Sequence, residues 1–179
     1  ANKRKNHLCD IIKPQKTSLL CDVVEQNNPK QHSCLLKNTG TLSYDYVVVA
    51  LGFESETFGI AGAATHALEM VDIPSAKKVQ DHIVAKMKQY GQQKEENLLK
   101  IVVCGAGFTG IELVGALAEN KATFAQTAGV EVEKIEIYCV EAMDTILPMF
   151  NEGLQDYCKK ELNKLGVHLL LSSPIKTIE

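Results

Sequence analysis

Ile101-Val102-Val103-Cys104-Gly105-Ala106-Gly107-Phe108-Thr109-Gly110-Ile111-Glu112 passes from a short apolar, largely β-branched run into three spaced glycines and then into a helical pattern. Each glycine in such a stretch has its own use. Gly105 permits a tight turn, Gly107 lets backbone approach a pyrophosphate, and Gly110 lets helix and strand pack closely. The helix N-terminus then offers N–H groups and positive potential to phosphate oxygens. Gly105, Ala106, Gly107, Phe108, Thr109 and Gly110 are therefore the candidate dinucleotide-binding residues. The same glycines would also serve a strand-to-helix joint with no ligand, so the surrounding chain has to carry the reading.

The pattern after residue 100 alternates: strand at 101–104, helix from 108 to about 118, strand at 135–140, helix at 151–165, strand at 167–171. That order predicts crossovers joining a parallel sheet, hence an α/β, Rossmann-like domain. Gly166 stands where the preceding helix needs its left-handed end. Upstream, Ala76, Val79, Ile83, Met87 and Tyr90 follow helical spacing, with Asp72 or Ser75 as cap and Gly91 as stop. Residues 92–97 are polar and read as a solvated loop. Residues 17–52 have a β pattern, with runs at 19–24, 34–36 and 44–50 separated by Asn27-Asn28-Pro29 and Asn38-Thr39-Gly40. The last run, Tyr46-Val47-Val48-Val49-Ala50, is continuously apolar, as in a strand covered on both faces, and ends at Gly52. The expected division is an antiparallel β portion in residues 1–70 and the nucleotide-binding domain in residues 71–179.

Glu141 follows Ile135-Glu136-Ile137-Tyr138-Cys139-Val140, the next strand of the unit. A carboxylate at that strand end can accept both hydroxyl hydrogens of an adenosine ribose and would repel a 2'-phosphate. Ala142, Met143 and Asp144 bring no cation, so NAD(H) is expected over NADP(H). Glu141 lies 31 residues beyond Gly110, where about 20 is usual; an extended helix and a loop around Thr127-Ala128-Gly129 account for the excess. Glu112 is read in the first turn of the glycine-fingerprint helix, where the dipole favours a carboxylate and where a role beside the nicotinamide is equally open.

The chain has 179 residues, 45% of them hydrophobic, and a formal charge of -3. Its one dense basic run, Lys3-Arg4-Lys5, does not make the basic face that nucleic acid requires. The six cysteines have no CxxC spacing and read as reduced and structural. His66, His82 and His168 have no metal-ligand spacing, so no metal is expected. Leu154, Tyr157, Cys158, Leu162 and Leu165 form an apolar helical stripe read as core. No signal segment is visible, and the longest apolar run is too short to cross a bilayer, so the chain as given is expected to be soluble and intracellular.

Tyr44-Asp45-Tyr46-Val47-Val48-Val49-Ala50-Leu51-Gly52, about fifty residues before the glycine fingerprint, resembles the second flavin-domain motif of two-dinucleotide-binding-domain flavoproteins. Gly105 to Glu112, Val140-Glu141-Ala142, Ile146-Leu147-Pro148-Met149-Phe150 and Thr57-Phe58-Gly59-Ile60-Ala61-Gly62 are similar to type II NADH dehydrogenases, single-subunit NADH:quinone oxidoreductases. The resemblance runs from Thr17 to Glu179. It implies a flavin-dependent respiratory-chain enzyme in which hydride passes from NADH to FAD and electrons pass on to a quinone. Ala142 would join Glu141 in binding the cofactor, Ala50 and Gly52 would border the FAD, and Glu112, the candidate catalytic residue, would stand where nicotinamide meets flavin. It also implies a peripheral cytoplasmic protein at the inner face of the cell membrane, attached through C-terminal segments, with a homodimer possible. Members carry a first glycine fingerprint for FAD that residues 1–52 do not supply. The chain is therefore expected to be a central portion of a larger enzyme, with residues 1–70 a partial FAD-binding domain, and to be inactive alone. Two alternatives stand beside this one: an NADH oxidase or disulfide reductase-like flavoenzyme on the same fold, and a non-catalytic NAD(H)-binding module.

Overall fold

The structure, a computed structural model, describes residues 16–179. The readings placed on Lys3-Arg4-Lys5 and Cys9 lie outside the described residues. Packing divides the chain into two units between Gly52 and Phe53.

The first unit is an antiparallel meander of Val24–Asn28 (β1), Ser33–Leu36 (β2) and Gly40–Ser43 (β3) in the order β1-β2-β3. The pairings Asn28↔Ser33 and Leu36↔Gly40 set the two turns. The first turn is a 3-10 segment, Pro29–Gln31, followed by His32 in the left-handed region. The second is organised by Asp22, whose carboxylate accepts the Asn38 and Thr39 backbone N–H groups at 3.1 and 2.8 Å, the Asn38 side-chain amide and the Thr39 hydroxyl. Cys34 and Leu36 point to the buried side.

Two expectations are corrected here. The first strand begins at Val24, where the sequence pattern had it end, because Asn27 and Asn28 pair rather than turn. The third strand occupies Gly40–Ser43, and residues 46–50 pair with no strand among those described. Val48 and Leu51 are each 87% exposed. An apolar run suited to two-faced burial becomes a strand only where neighbours supply ladder partners and cover, and the described residues supply neither.

The second unit begins with a short helix, Ala63–His66 (α1), and a long one, Ile73–Gln93 (α2). Asp72 and Ser75 form a reciprocal capping box at the start of α2. The helix buries Ile83, Met87 and Tyr90, as its spacing predicts, but runs through Gly91 and stops at Lys94, whose φ is 57°. A 3-10 segment, Glu96–Leu99, begins inside residues 92–97, which were read as loop, and buries Leu99 just beyond them.

Then come Lys100–Cys104 (β4), Phe108–Glu119 (α3), Lys121–Ala128 (α4), Glu136–Val140 (β5), Glu152–Lys164 (α5) and Val167–Leu170 (β6). The strands are parallel in the order β4-β5-β6, with Val103 beside Cys139 and Cys139 beside Leu169. The excess length between Gly110 and Glu141 is a second helix, α4. Thr127 and Ala128 belong to it, and only Gly129, at φ 71°, is its left-handed end. One face of the sheet (Val103, Ile137, Cys139, Val167) is buried with Val114, Leu117 and Phe124 of the helices. On the other face Tyr138 stacks on His168 at 4.7 Å.

The α5 stripe departs from expectation. Leu162 is buried, but Leu154 and Tyr157 are 50% and 62% exposed, and the residue buried in their place is Gln155. The helix is rotated from the position that its apolar residues alone would choose, because Gln155 has backbone partners to meet on the loop before it.

Among the described cysteines none is disulfide-bonded. Cys139 is fully buried, and burial, with smaller effects from Glu141 and the neighbouring thiols, pushes its thiol up to about 11. Cys21 and Cys104 are exposed, so core packing accounts for only some of the described cysteines.

Candidate functional site

The turn between β4 and α3 is where the sheet, the N-terminus of α3 and the end of β5 meet. Gly105 has φ 98°, a conformation that only glycine adopts without strain. Its N–H donates to the Val140 carbonyl at 2.8 Å, tying the turn to β5. Gly110 serves a different need. A Cβ there would stand 2.0 Å from the Gly105 carbonyl oxygen, so the helix can lie against the turn only without a side chain. At Gly107 a Cβ would meet nothing within 4 Å. The space above it is open, as a backbone that receives a pyrophosphate requires.

Gly107 is the N-cap of α3 and supplies no side-chain cap. The first-turn N–H groups, from Phe108 onward, have no intrahelical acceptor. They leave donors and positive potential at the opening over Gly107. Phe108 and Thr109 are exposed at this end, and the Phe108 ring meets Phe150 edge-on at 5.4 Å.

Glu141 comes to this turn across 35 residues of sequence. Its Oε2 accepts the Ala106 N–H at 2.7 Å, its Oε1 accepts the Met143 N–H at 2.9 Å, and its own N–H donates to the Leu170 carbonyl. A carboxylate has about four acceptor positions, so two remain for ribose hydroxyls. The carboxylate therefore ties the glycine turn to the end of β5 directly. Ala142 beside it is exposed.

The residues fit a dinucleotide: an open glycine backbone, uncapped helix donors and a tethered carboxylate lie within one turn. Glu112 is less simply placed. Because α3 starts at Phe108, Glu112 is its fifth residue, beyond the first turn, and the dipole explanation loses most of its force. The side chain is exposed. Ala50 and Gly52 fall in the first unit, and Gly52 lies in the left-handed region, with φ 85°. These two residues are too few to define a flavin site.

Sequence reasoning used Ile146-Leu147-Pro148-Met149-Phe150 only for the family resemblance and missed how this loop, residues 144–150, supports the glycine turn. Leu147 donates its N–H to the Ala106 carbonyl at 3.1 Å, so the glycine turn is held from a second side. Within the loop itself the local signal was Pro148 in an apolar stretch. A cleft beside this loop, lined by Asp144, Thr145, Glu152, Gln155, Asp156 and Lys159, carries three carboxylates and is unsuited to a pyrophosphate.

A family model described as pyridine nucleotide-disulphide oxidoreductase matches residues 5–179. A type II NADH:quinone oxidoreductase of Staphylococcus haemolyticus is 42% identical over 140 residues, 77% of this chain and 35% of that protein. The protein of the same name from Staphylococcus aureus is 40% identical over the same shares. The chain thus spans about a third of the length of the curated relatives it matches. Among solved structures, NDH2 from Plasmodium falciparum in complex with NADH superposes with a TM-score of 0.70 at 21% identity, over 89% of this chain and 35% of that one. That likeness concerns the fold.

Proposed function

The chain belongs to the pyridine nucleotide-disulphide oxidoreductase family, and from that premise we propose that it is the NADH-binding portion of an FAD-dependent NADH dehydrogenase that delivers electrons to a quinone. The observation that carries the reading is the bond from Ala106 N–H to the Glu141 carboxylate. It joins the two elements that a pyridine dinucleotide needs, a glycine turn for pyrophosphate and a carboxylate for ribose. The quinone part draws support from the names of the relatives at 40–42% identity.

On this reading the pyrophosphate lies over Gly107 and is met by the first-turn N–H groups of α3. Glu141 accepts the ribose hydroxyls and repels a 2'-phosphate. NADH supplies a hydride and the flavin, where bound, accepts it. The part played by this chain is to bind and orient the nucleotide, with Glu112 the candidate for contact near the nicotinamide and Ala50 and Gly52 for contact with FAD. Delivery to quinone would place the whole protein peripherally at a membrane surface, on the cytoplasmic side of the cell membrane. No helix among the described residues is long and apolar enough to cross a membrane. A homodimer belongs to the same proposal.

The test uses the full natural protein that carries this sequence. Calorimetry should give tighter binding of NADH than NADPH, and Glu141→Ala should lose roughly tenfold or more in NADH affinity, the scale of a charge-assisted bond. Glu112→Gln should lower turnover or flavin reduction more than it lowers the melting temperature. Equal affinity for the two nucleotides, or unchanged NADH binding in Glu141→Ala, would remove the assignment of Glu141. Normal kinetics in Glu112→Gln would return that residue to a structural role.

A further inference from the structure

Gln155 is the one buried carboxamide in the second unit, at 8% exposure, on a helix whose neighbouring Leu154 and Tyr157 face solvent. A buried amide is costly unless its polar atoms find partners, and all those of Gln155 lie on the loop that precedes α5. Nε2 donates to the Phe150 carbonyl at 2.9 Å and the Leu147 carbonyl at 3.3 Å, while Oε1 accepts the Thr145 hydroxyl at 2.6 Å. Carbonyl oxygens only accept, so the nitrogen must face them and the orientation of the amide is determined.

The residue it grips is a strained one. Leu147 has φ 48°, a region that L side chains rarely occupy and keep only where the surroundings enforce it. Its carbonyl accepts from Gln155 and from the Phe150 N–H at 2.9 Å, and its side chain is buried. Its N–H, turned by that conformation, donates to the Ala106 carbonyl at 3.1 Å. Ala106 in turn donates to Glu141 at 2.7 Å. A relay of hydrogen bonds therefore runs from Gln155 through Leu147 and Ala106 to the carboxylate.

We infer that Gln155 is a positioning residue for the dinucleotide and for the choice between NADH and NADPH. Through Leu147 it fixes both the glycine turn and the aim of the two acceptor positions that Glu141 has left for ribose. The inference rests on the functional reading above. Without the relay Glu141 can swing away from the ribose, which weakens NADH binding and eases entry of a 2'-phosphate.

The test compares the full natural protein with its Gln155→Met variant, which keeps the length of the side chain and removes its hydrogen bonds. KM for NADH should rise roughly tenfold, the scale of one lost buried hydrogen bond. With kcat unchanged, the preference for NADH over NADPH should narrow. If Gln155→Met does not fold, Thr145→Val serves instead, because it removes only the hydroxyl that Oε1 accepts. It should shift KM in the same direction, and Thr145→Ser should shift it less. A folded Gln155→Met, or failing that Thr145→Val, with wild-type KM and nucleotide preference overturns the inference, whatever its melting temperature. A wild type that binds neither nucleotide overturns the functional reading and this inference with it, so the two failures are told apart by which protein shows them.

Discussion

Gly105, Gly107 and Gly110 are glycines for three separable reasons, and substitution tells them apart. Alanine at position 110 would bring its Cβ to 2.0 Å from the Gly105 carbonyl oxygen, so either the turn or the helix must move. Gly110→Ala should cost about 1–3 kcal/mol of stability, the range for overpacking, and should also weaken NADH binding. Gly107 has an ordinary φ of -76° and open space where the Cβ would go. Gly107→Ala should therefore leave the melting temperature nearly unchanged while NADH affinity falls, because the methyl group occupies the approach of the pyrophosphate. Thermal melts and calorimetric titrations of the two variants check this. A Gly107→Ala protein that binds NADH normally would remove the pyrophosphate from that position.

At the scale of elements, the β2–β3 turn depends on an acid outside both strands. Hydrogen bonds, first from the Thr39 hydroxyl and then from the Val23 and Thr39 N–H groups and the Asn38 side chain, hold the Asp22 carboxyl well below the usual carboxylate range, against a smaller opposing effect of desolvation. A depressed folded-state pKa means that the contribution of Asp22 is fully present above its unfolded value, about 4. It is then lost as the pH falls through the folded value. Acid titration followed by the Asn38 and Thr39 amide resonances should show the turn loosening only well below pH 4. In Asp22→Asn the turn should be looser at neutral pH, with that pH dependence gone. The same wild-type and variant behaviour would show that the carboxylate does not hold the turn. Helix α5 shows a related competition. Its apolar spacing favoured Leu154 and Tyr157 as core, yet the bonds available to Gln155 on the loop at 144–150 set which face is buried.

At the scale of the whole molecule, the described chain leaves a contiguous apolar stretch in the open: Tyr46 is 93% exposed, Val48 87%, Val49 71%, Leu51 87% and Phe53 64%. Exposed runs of this kind promote association, and a continuous β-branched segment is a ready strand for another chain. The 179-residue chain expressed alone should sediment as concentration-dependent oligomers, and Val48→Thr with Leu51→Ser should shift it toward monomer. Its visible spectrum should lack a stoichiometric flavin band, and it should not oxidise NADH with a soluble quinone. A flavin-loaded, monodisperse preparation of the chain would contradict both expectations.

Features that are local or periodic were legible in the amino-acid order. The strand–glycine–helix joint at residues 101–112, a helix cap at Asp72 or Ser75 and the buried stripe of α2 follow from spacing and turn chemistry within a few residues, as does the alternation that makes a parallel sheet. So did the candidacy of Glu141, which needed only its place at the end of β5. Tertiary structure decided what depends on partners distant in the chain. Residues 46–50 read as a strand, but a strand exists only where another supplies its ladder. Asp22 could not be seen as the organiser of a turn at residues 38–39, nor Glu141 as the acceptor of the Ala106 N–H. Gln155 was hidden for the same reason: a polar residue in an amphipathic helix is assigned to solvent until backbone carbonyls are found facing it. Backbone hydrogen-bonding demand, which the chain must meet wherever water is excluded, is set by the folded arrangement and leaves no periodic trace in the sequence.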